Sequence, residues 1–180
     1  MNKRQFWTTA MWTTPLFTLG VVAPLAQPST APMANVACKT NASGVPTVIA
    51  TFAEQETEKD FSVLNFLPEY FSPKDALENC QNTAKTLQTL YNTERANYLT
   101  NDTVNSQPVV CVVERRGIGC DRDSAQVLFT LDSTVNSSKA LYDILGSDFK
   151  QAQPPDARTV SRIYSDIKPK RRSNRWWFFQ

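Results

Sequence analysis

Two hydrophobic periods alternate along this chain. The clearer one runs through Leu77, Cys80, Ala84, Leu87 and Tyr91 at intervals of three and four, the repeat of one face of an α-helix. Ser72-Pro73-Lys74-Asp75 stands just ahead of it, supplying an N-cap hydroxyl, a proline at the first helical position and an acid at the third. This predicts a helix with Cys80 on its buried side. A shorter helix is predicted from Asn136 to Leu145 on the strength of Leu141, Ile144 and Leu145, with Gly146 as its C-cap.

The other period is two. Val45 to Phe52, Phe61 to Leu67, Asn97 to Val104, Pro108 to Glu114 and Ala125 to Asp132 are rich in β-branched and aromatic residues, and Cys38 lies in a shorter candidate strand. Glu54 to Asp60 reads as a charged turn, and Asn105-Ser106-Gln107 as a polar turn of hairpin length. Val109, Cys111 and Val113 share one face of their strand. Ala125 to Asp132 has the most continuous apolar run and is expected at the centre of the sheet. The pattern as a whole is α+β: an antiparallel sheet of about five or six strands with two helices packed on one face.

The flanks read differently. Residues 1–26 open with Lys3 and Arg4 and continue through an apolar stretch from Phe6 to Ala23, which resembles a secretory signal peptide cleaved after Ala26; retention as an uncleaved anchor is the other option. Residues 27–35 are expected to be a flexible spacer, residues 36–146 the folded domain, and residues 147–180 a loosely ordered tail that is basic and aromatic.

Composition narrows the chemistry. The chain of 180 residues is long enough for one domain with its own core, and its apolar content of 41% is ordinary for a globular protein. Residues 150–180 hold eight Lys or Arg against Asp156 and Asp166, and Lys3 with Arg4 lie at the other end. With a total of +2, the body between them is acidic, which argues against nucleic acid as a partner. Histidine is absent, so the usual hydrolytic triads and His-based zinc sites are excluded. Neither a metal nor any other cofactor is expected.

Carboxylates are the remaining catalytic candidates. Glu54, Glu56, Glu58 and Asp60 fall in one predicted turn, and Asp121 and Asp123 flank Arg122 after Cys120. Solvated loops account for both groups better than a glycosidase-like pair or a two-ligand calcium site, because the rest of an EF-hand loop is missing. Asn41, Asn101 and Asn136 each begin a glycosylation acceptor triplet.

Asn97-Tyr98-Leu99-Thr100, then Asn105-Ser106-Gln107-Pro108-Val109-Val110-Cys111-Val112, then Cys120 and Leu128-Phe129-Thr130-Leu131 together resemble the cyanobacterial circadian oscillating protein domain family. The similarity takes in Pro46-Thr47-Val48, Tyr70-Phe71, Cys80, Leu141 and Leu145, and so covers roughly residues 36 to 146. The chain departs from the family at Ser106, where Asn-Gly-Gln-Pro is usual, and at Phe66, near which Trp is common. The resemblance implies an exported or membrane-peripheral cyanobacterial protein with no catalytic residues to carry over.

Four cysteines allow three pairings. Cys111 and Cys120, on a strand and the loop leaving it, make an easy local bridge, which leaves Cys38 on the first strand for Cys80 on the buried helix face; this pairing is expected over a redox or metal site. Lys168-Pro169-Lys170-Arg171-Arg172 and Arg175-Trp176-Trp177-Phe178-Phe179 pair a basic cluster with four consecutive rings. Lys170, Arg171, Arg172, Arg175, Trp176, Trp177, Phe178 and Phe179 are therefore expected to contact an anionic membrane surface or an envelope protein. The expected function is that of a non-catalytic binding or envelope-associated protein, membrane-peripheral and located in the periplasm, thylakoid lumen or extracellular space. The alternative is a secreted hydrolase using paired carboxylates.

Overall fold

The computed structural model describes residues 34–54, 57–150 and 162–168. The expected signal peptide, most of the expected spacer, and residues 169–180 with all eight predicted membrane-contact side chains lie outside the described residues. In the described part the order is β1 (Ala34–Thr40), β2 (Pro46–Glu54), β3 (Thr57–Asn65), α1 (Pro73–Asn92), β4 (Tyr98–Val104), β5 (Gln107–Val113), β6 (Gln126–Thr130), α2 (Ser137–Ile144) and β7 (Tyr164–Asp166).

The class is α+β, but the strands form two antiparallel sheets where one was expected. Sheet A has the order β1-β2-β3 and sheet B the order β6-β5-β4-β7. The hairpins β1–β2, β2–β3 and β4–β5 each pair locally, and the 20-residue α1 between β3 and β4 separates the two sets. An isolated bridge joins Leu64 on β3 to Leu145 just past α2. Helix α1 packs against β1 and β2 on one side and β6 on the other, while α2 covers β4 and β5. The helices therefore fill the space between the sheets.

Ser72 caps α1 as predicted, its hydroxyl accepting from the Asp75 amide at 3.3 Å with Pro73 in the first turn. The buried face is Ala76, Cys80, Thr83, Ala84, Leu87 and Leu90, with Tyr91 packed at its margin. Leu77, placed on that face from its spacing, is 47% exposed. Ala76, one residue earlier, takes the inward place. At the far end Glu94 takes φ 56°, and the Glu94 and Arg95 amides return to Tyr91 and Leu90, a Schellman closure without glycine. Gln88 leaves the helix surface to bond the Val36 amide and the Ala34 carbonyl, which covers the free edge of β1.

Sheet B departs further from expectation. Strand β6 is an edge, and Val127 on it is 38% exposed. The central positions fall to β5, buried from Pro108 to Val113 on both faces, and to β4. Val110 and Val112 enter the main core, whereas Val109, Cys111 and Val113 join Cys120 in a smaller cluster on the outer face, under the loop from Glu114 to Ala125. The charged segment 57–60 belongs to β3 and is not a turn: Asp60 pairs with Thr51 across the ladder and with Lys39.

The domain also extends beyond Gly146, where it was expected to close. Strand β7 adds to β4 with Tyr98 opposite Asp166 and Thr100 opposite Tyr164. Ile163, Ser165 and Ile167 alternate inward along it, a period-two signal too short to stand out among charges and prolines. Gly146 does not act as a left-handed cap either. Its amide bonds the Val63 carbonyl at 3.0 Å, and a Cβ at this position would overlap the Ser62 carbonyl.

Candidate functional site

The four cysteines are spent on structure. Cys38 is bonded to Cys80, which joins β1 to α1, and Cys111 to Cys120, which pins the outer loop to β5. No described cysteine is free. Cys80 and Cys111 are fully buried, so neither sulfur pair faces a substrate.

An open groove of about 510 Å³ runs between the N-terminus of α1 and the end of β6. Tyr70, Phe71, Asp75, Glu78 and Asp132 are among the residues that line it. Phe71 continues into a three-ring cluster with Phe66 and Phe129, centroids 5.2 to 5.6 Å apart. The Phe66 corner is therefore core and offers no ring to a ligand. Two of the lining carboxylates are engaged: Ser72 Oγ donates to Asp75 at 2.6 Å, and the Thr134 hydroxyl and amide both donate to Asp132, holding its carboxyl below the usual range.

Beside the groove stands a cluster absent from the sequence expectations. Tyr70 donates to Asp143 at 2.5 Å, and Lys139 donates to both. Burial, reinforced by the hydrogen bond to Asp143, pushes the Tyr70 phenol up. The hydrogen bond to Asp143 raises Lys139, and the bonds from Lys139 and Tyr70 lower Asp143 against the opposing effect of burial. Every shift favours the form already dominant at neutral pH. A general acid or base needs the opposite, a group brought toward the working pH.

The same holds on the outer face of sheet B. Asp102, 8% exposed, accepts from Arg162 at 2.6 Å and from the Thr103 and Cys120 amides. Burial alone would raise this carboxyl, but the three donors outweigh it and hold the group low. Its neighbours on β4 are equally committed. Asn101 donates to Ser137 and Ser138 on α2 and accepts from the Ile163 amide, while the Thr100 hydroxyl donates to the Ile163 carbonyl. Thr100, Asn101 and Asp102 are three consecutive buried polar residues on one predicted strand, and all three help to seat the segment 162–168.

The acceptor asparagines have structural roles. The Asn41 side chain closes the β1–β2 turn through the Ser43 and Val45 amides, Asn101 is in the core, and Asn136 caps α2 through the Lys139 amide. Asp121 and Asp123 are exposed in the outer loop, and among the described residues no group of three or more Cys, Asp or Glu is placed to hold a metal ion. Residues 55–56 are not described, and Glu58 and Asp60 lie on β3.

Cations gather at the opposite end of the molecule from the groove. The Arg116 guanidinium sits 5.4 Å from the Tyr98 ring centre and the Lys168 ammonium 5.9 Å from the same ring. Arg95 engages Glu114 at 3.5 Å, and Asp166 accepts from the Lys168 amide. Arg115, Arg116 and Lys168 are all exposed. Among the described residues no helix is long and apolar enough to cross a membrane.

A family model described as Circadian oscillating protein COP23 matches residues 36–171, from the middle of β1 to beyond β7. No curated protein and no solved structure matches the chain.

Proposed function

The chain belongs to the Circadian oscillating protein COP23 family, and from that premise we propose that it is a non-catalytic, exported binding protein that works at the periphery of a membrane or as part of the cell envelope. One observation carries the reading: among the described residues the cysteines and every carboxylate with a displaced titration are committed to holding the fold. The four cysteines are bonded to each other, and the carboxylates whose titration is displaced, Asp60, Asp102, Asp132 and Asp143, are all displaced downward. Two buried disulfides also fit a compartment that is oxidising, such as a periplasm, a thylakoid lumen or the exterior. Nothing in the groove favours a hydrolase with paired carboxylates, which needs one of the two raised.

The membrane side of the reading rests on the sequence beyond Lys168, where Lys170, Arg171, Arg172 and Arg175 precede Trp176, Trp177, Phe178 and Phe179. Rings of this kind enter the headgroup boundary while Lys and Arg meet anionic lipid. The test is flotation with phosphatidylcholine vesicles that contain phosphatidylglycerol, comparing the full chain with a variant lacking residues 169–180. Truncation there leaves β7 and Lys168 in place. Recovery of the full chain and loss of the shortened one is expected; equal recovery, or none for the full chain, overturns the membrane role. Native mass spectrometry that finds four free thiols overturns the export.

A further inference from the structure

The chain leaves sheet B at Lys168, and that point is not neutral ground. Tyr98 and Asp166 are register partners where β7 joins β4, on the same outer face that the Cys111–Cys120 loop covers. Arg116 near the start of that loop and Lys168 just past β7, more than fifty positions apart, bring their cations against a single ring, and Arg115 is exposed next to Arg116 in the chain. Two acids at this end have partners: Glu114 takes Arg95, and Asp166 takes the Lys168 amide. Two residues past Lys168 the run Lys170-Arg171-Arg172 begins.

We propose that Arg116 and Lys168 over the Tyr98 ring, with the adjacent exposed Arg115, form a headgroup platform on the folded body that docks on anionic phospholipid. This rests on the membrane reading above and gives the body a part in it. Charge complementarity selects the occupant: the rest of the body is acidic, so an anionic surface is attracted at this end and repelled elsewhere. The platform fixes which face of the protein meets the bilayer. Sheet B's outer end lies on the lipid, and the groove at the N-terminus of α1 is left facing the aqueous phase.

The test uses the full chain with the same vesicles. Arg115→Gln/Arg116→Gln/Lys168→Gln removes three exposed cations at the platform, and Lys59→Gln/Lys74→Gln/Lys85→Gln removes three exposed cations from β3 and α1. The platform variant is expected to lose about fivefold in vesicle affinity per cation removed, with the remote variant close to the unmodified chain. Equal loss in the two variants reduces the effect to net charge and overturns the proposal, as does a platform variant that binds like the unmodified chain. If the unmodified chain itself fails to float, the membrane reading falls first. If it floats and the platform variant is unaffected, only the platform is lost.

Discussion

Arg162 reaches Asp102 across sixty residues of sequence at 2.6 Å, while the other oxygen of the same carboxylate receives the Cys120 amide at 2.9 Å. One buried acid thus joins three parts of the chain: β4, the disulfide-bonded loop and the returning segment that forms β7.

Asp102→Asn removes the charge from this junction and is expected to cost about 1 to 3 kcal/mol, because the Arg162 and amide donors lose an ionised acceptor. A carboxyl held below its ordinary value adds stability that is complete above the unfolded value, near pH 4, and is lost as the pH falls through the folded one. The gap in urea midpoint between the native protein and the variant should therefore be full at pH 7 and close from about pH 4 downward. A gap independent of pH would mean that charge contributes nothing here.

Ser106→Gly should stabilise the protein. Asn105 and Ser106 take φ 50° and 64°, the two-residue turn that matches strand twist in the β4–β5 hairpin, and only Asn is well suited to its place. Relief of left-handed strain at a serine, less the added freedom of glycine in the unfolded chain, is worth about 0.5 to 1 kcal/mol. A thermal melt measures it, and a lowered midpoint would show that the serine hydroxyl outweighs its strain.

The two disulfides should be unequal. Closing a separation of 42 residues restricts the unfolded chain more than closing 9. In the chain-entropy account the contributions are about 4 and about 2.5 kcal/mol. Cys38→Ala/Cys80→Ala should accordingly lower the denaturant midpoint more than Cys111→Ala/Cys120→Ala. The reverse order would place the larger part of the stabilisation in the outer loop.

Gly146→Ala is expected to be among the most damaging single changes outside the core, about 3 kcal/mol or more, since the new methyl group must displace the β3 backbone at Ser62 and with it the Leu64–Leu145 bridge. Equilibrium unfolding reads the loss. A variant as stable as the parent would mean that β3 and the end of α2 do not touch as described.

Local chemistry was legible in the sequence and long-range partnership was not. Ser72 and Pro73 mark the start of α1 because a cap is satisfied within four residues, and the alternation in β5 marks its two faces. Whether β3 continues into sheet B depends on how α1 inserts between them, which no period records. Apolar continuity misplaced β6 at the centre because a run such as Val127-Leu128-Phe129 is equally at home on an edge that covers a helix. Tyr98 and Lys168 escaped notice as neighbours because the pairing of β4 with β7 is what brings them together, and β7 has three residues. Asn101 was legible only as a strand residue that begins an acceptor triplet, and its burial depends on serines from α2 that lie 36 and 37 residues on.

The seating of residues 162–168 also bears on how the protein is made. Thr100, Asn101 and Asp102 complete their sets of partners only when Ile163 and Arg162 arrive, so a nascent or translocating chain carries an unfinished sheet B until nearly the whole domain has been delivered. A product cut short anywhere between Gly146 and Arg162 would keep both cysteine pairs and both helices, yet leave the Thr100 hydroxyl without the Ile163 carbonyl and the Asp102 carboxylate without its cation, a mark by which proteases could tell the incomplete molecule from the finished one.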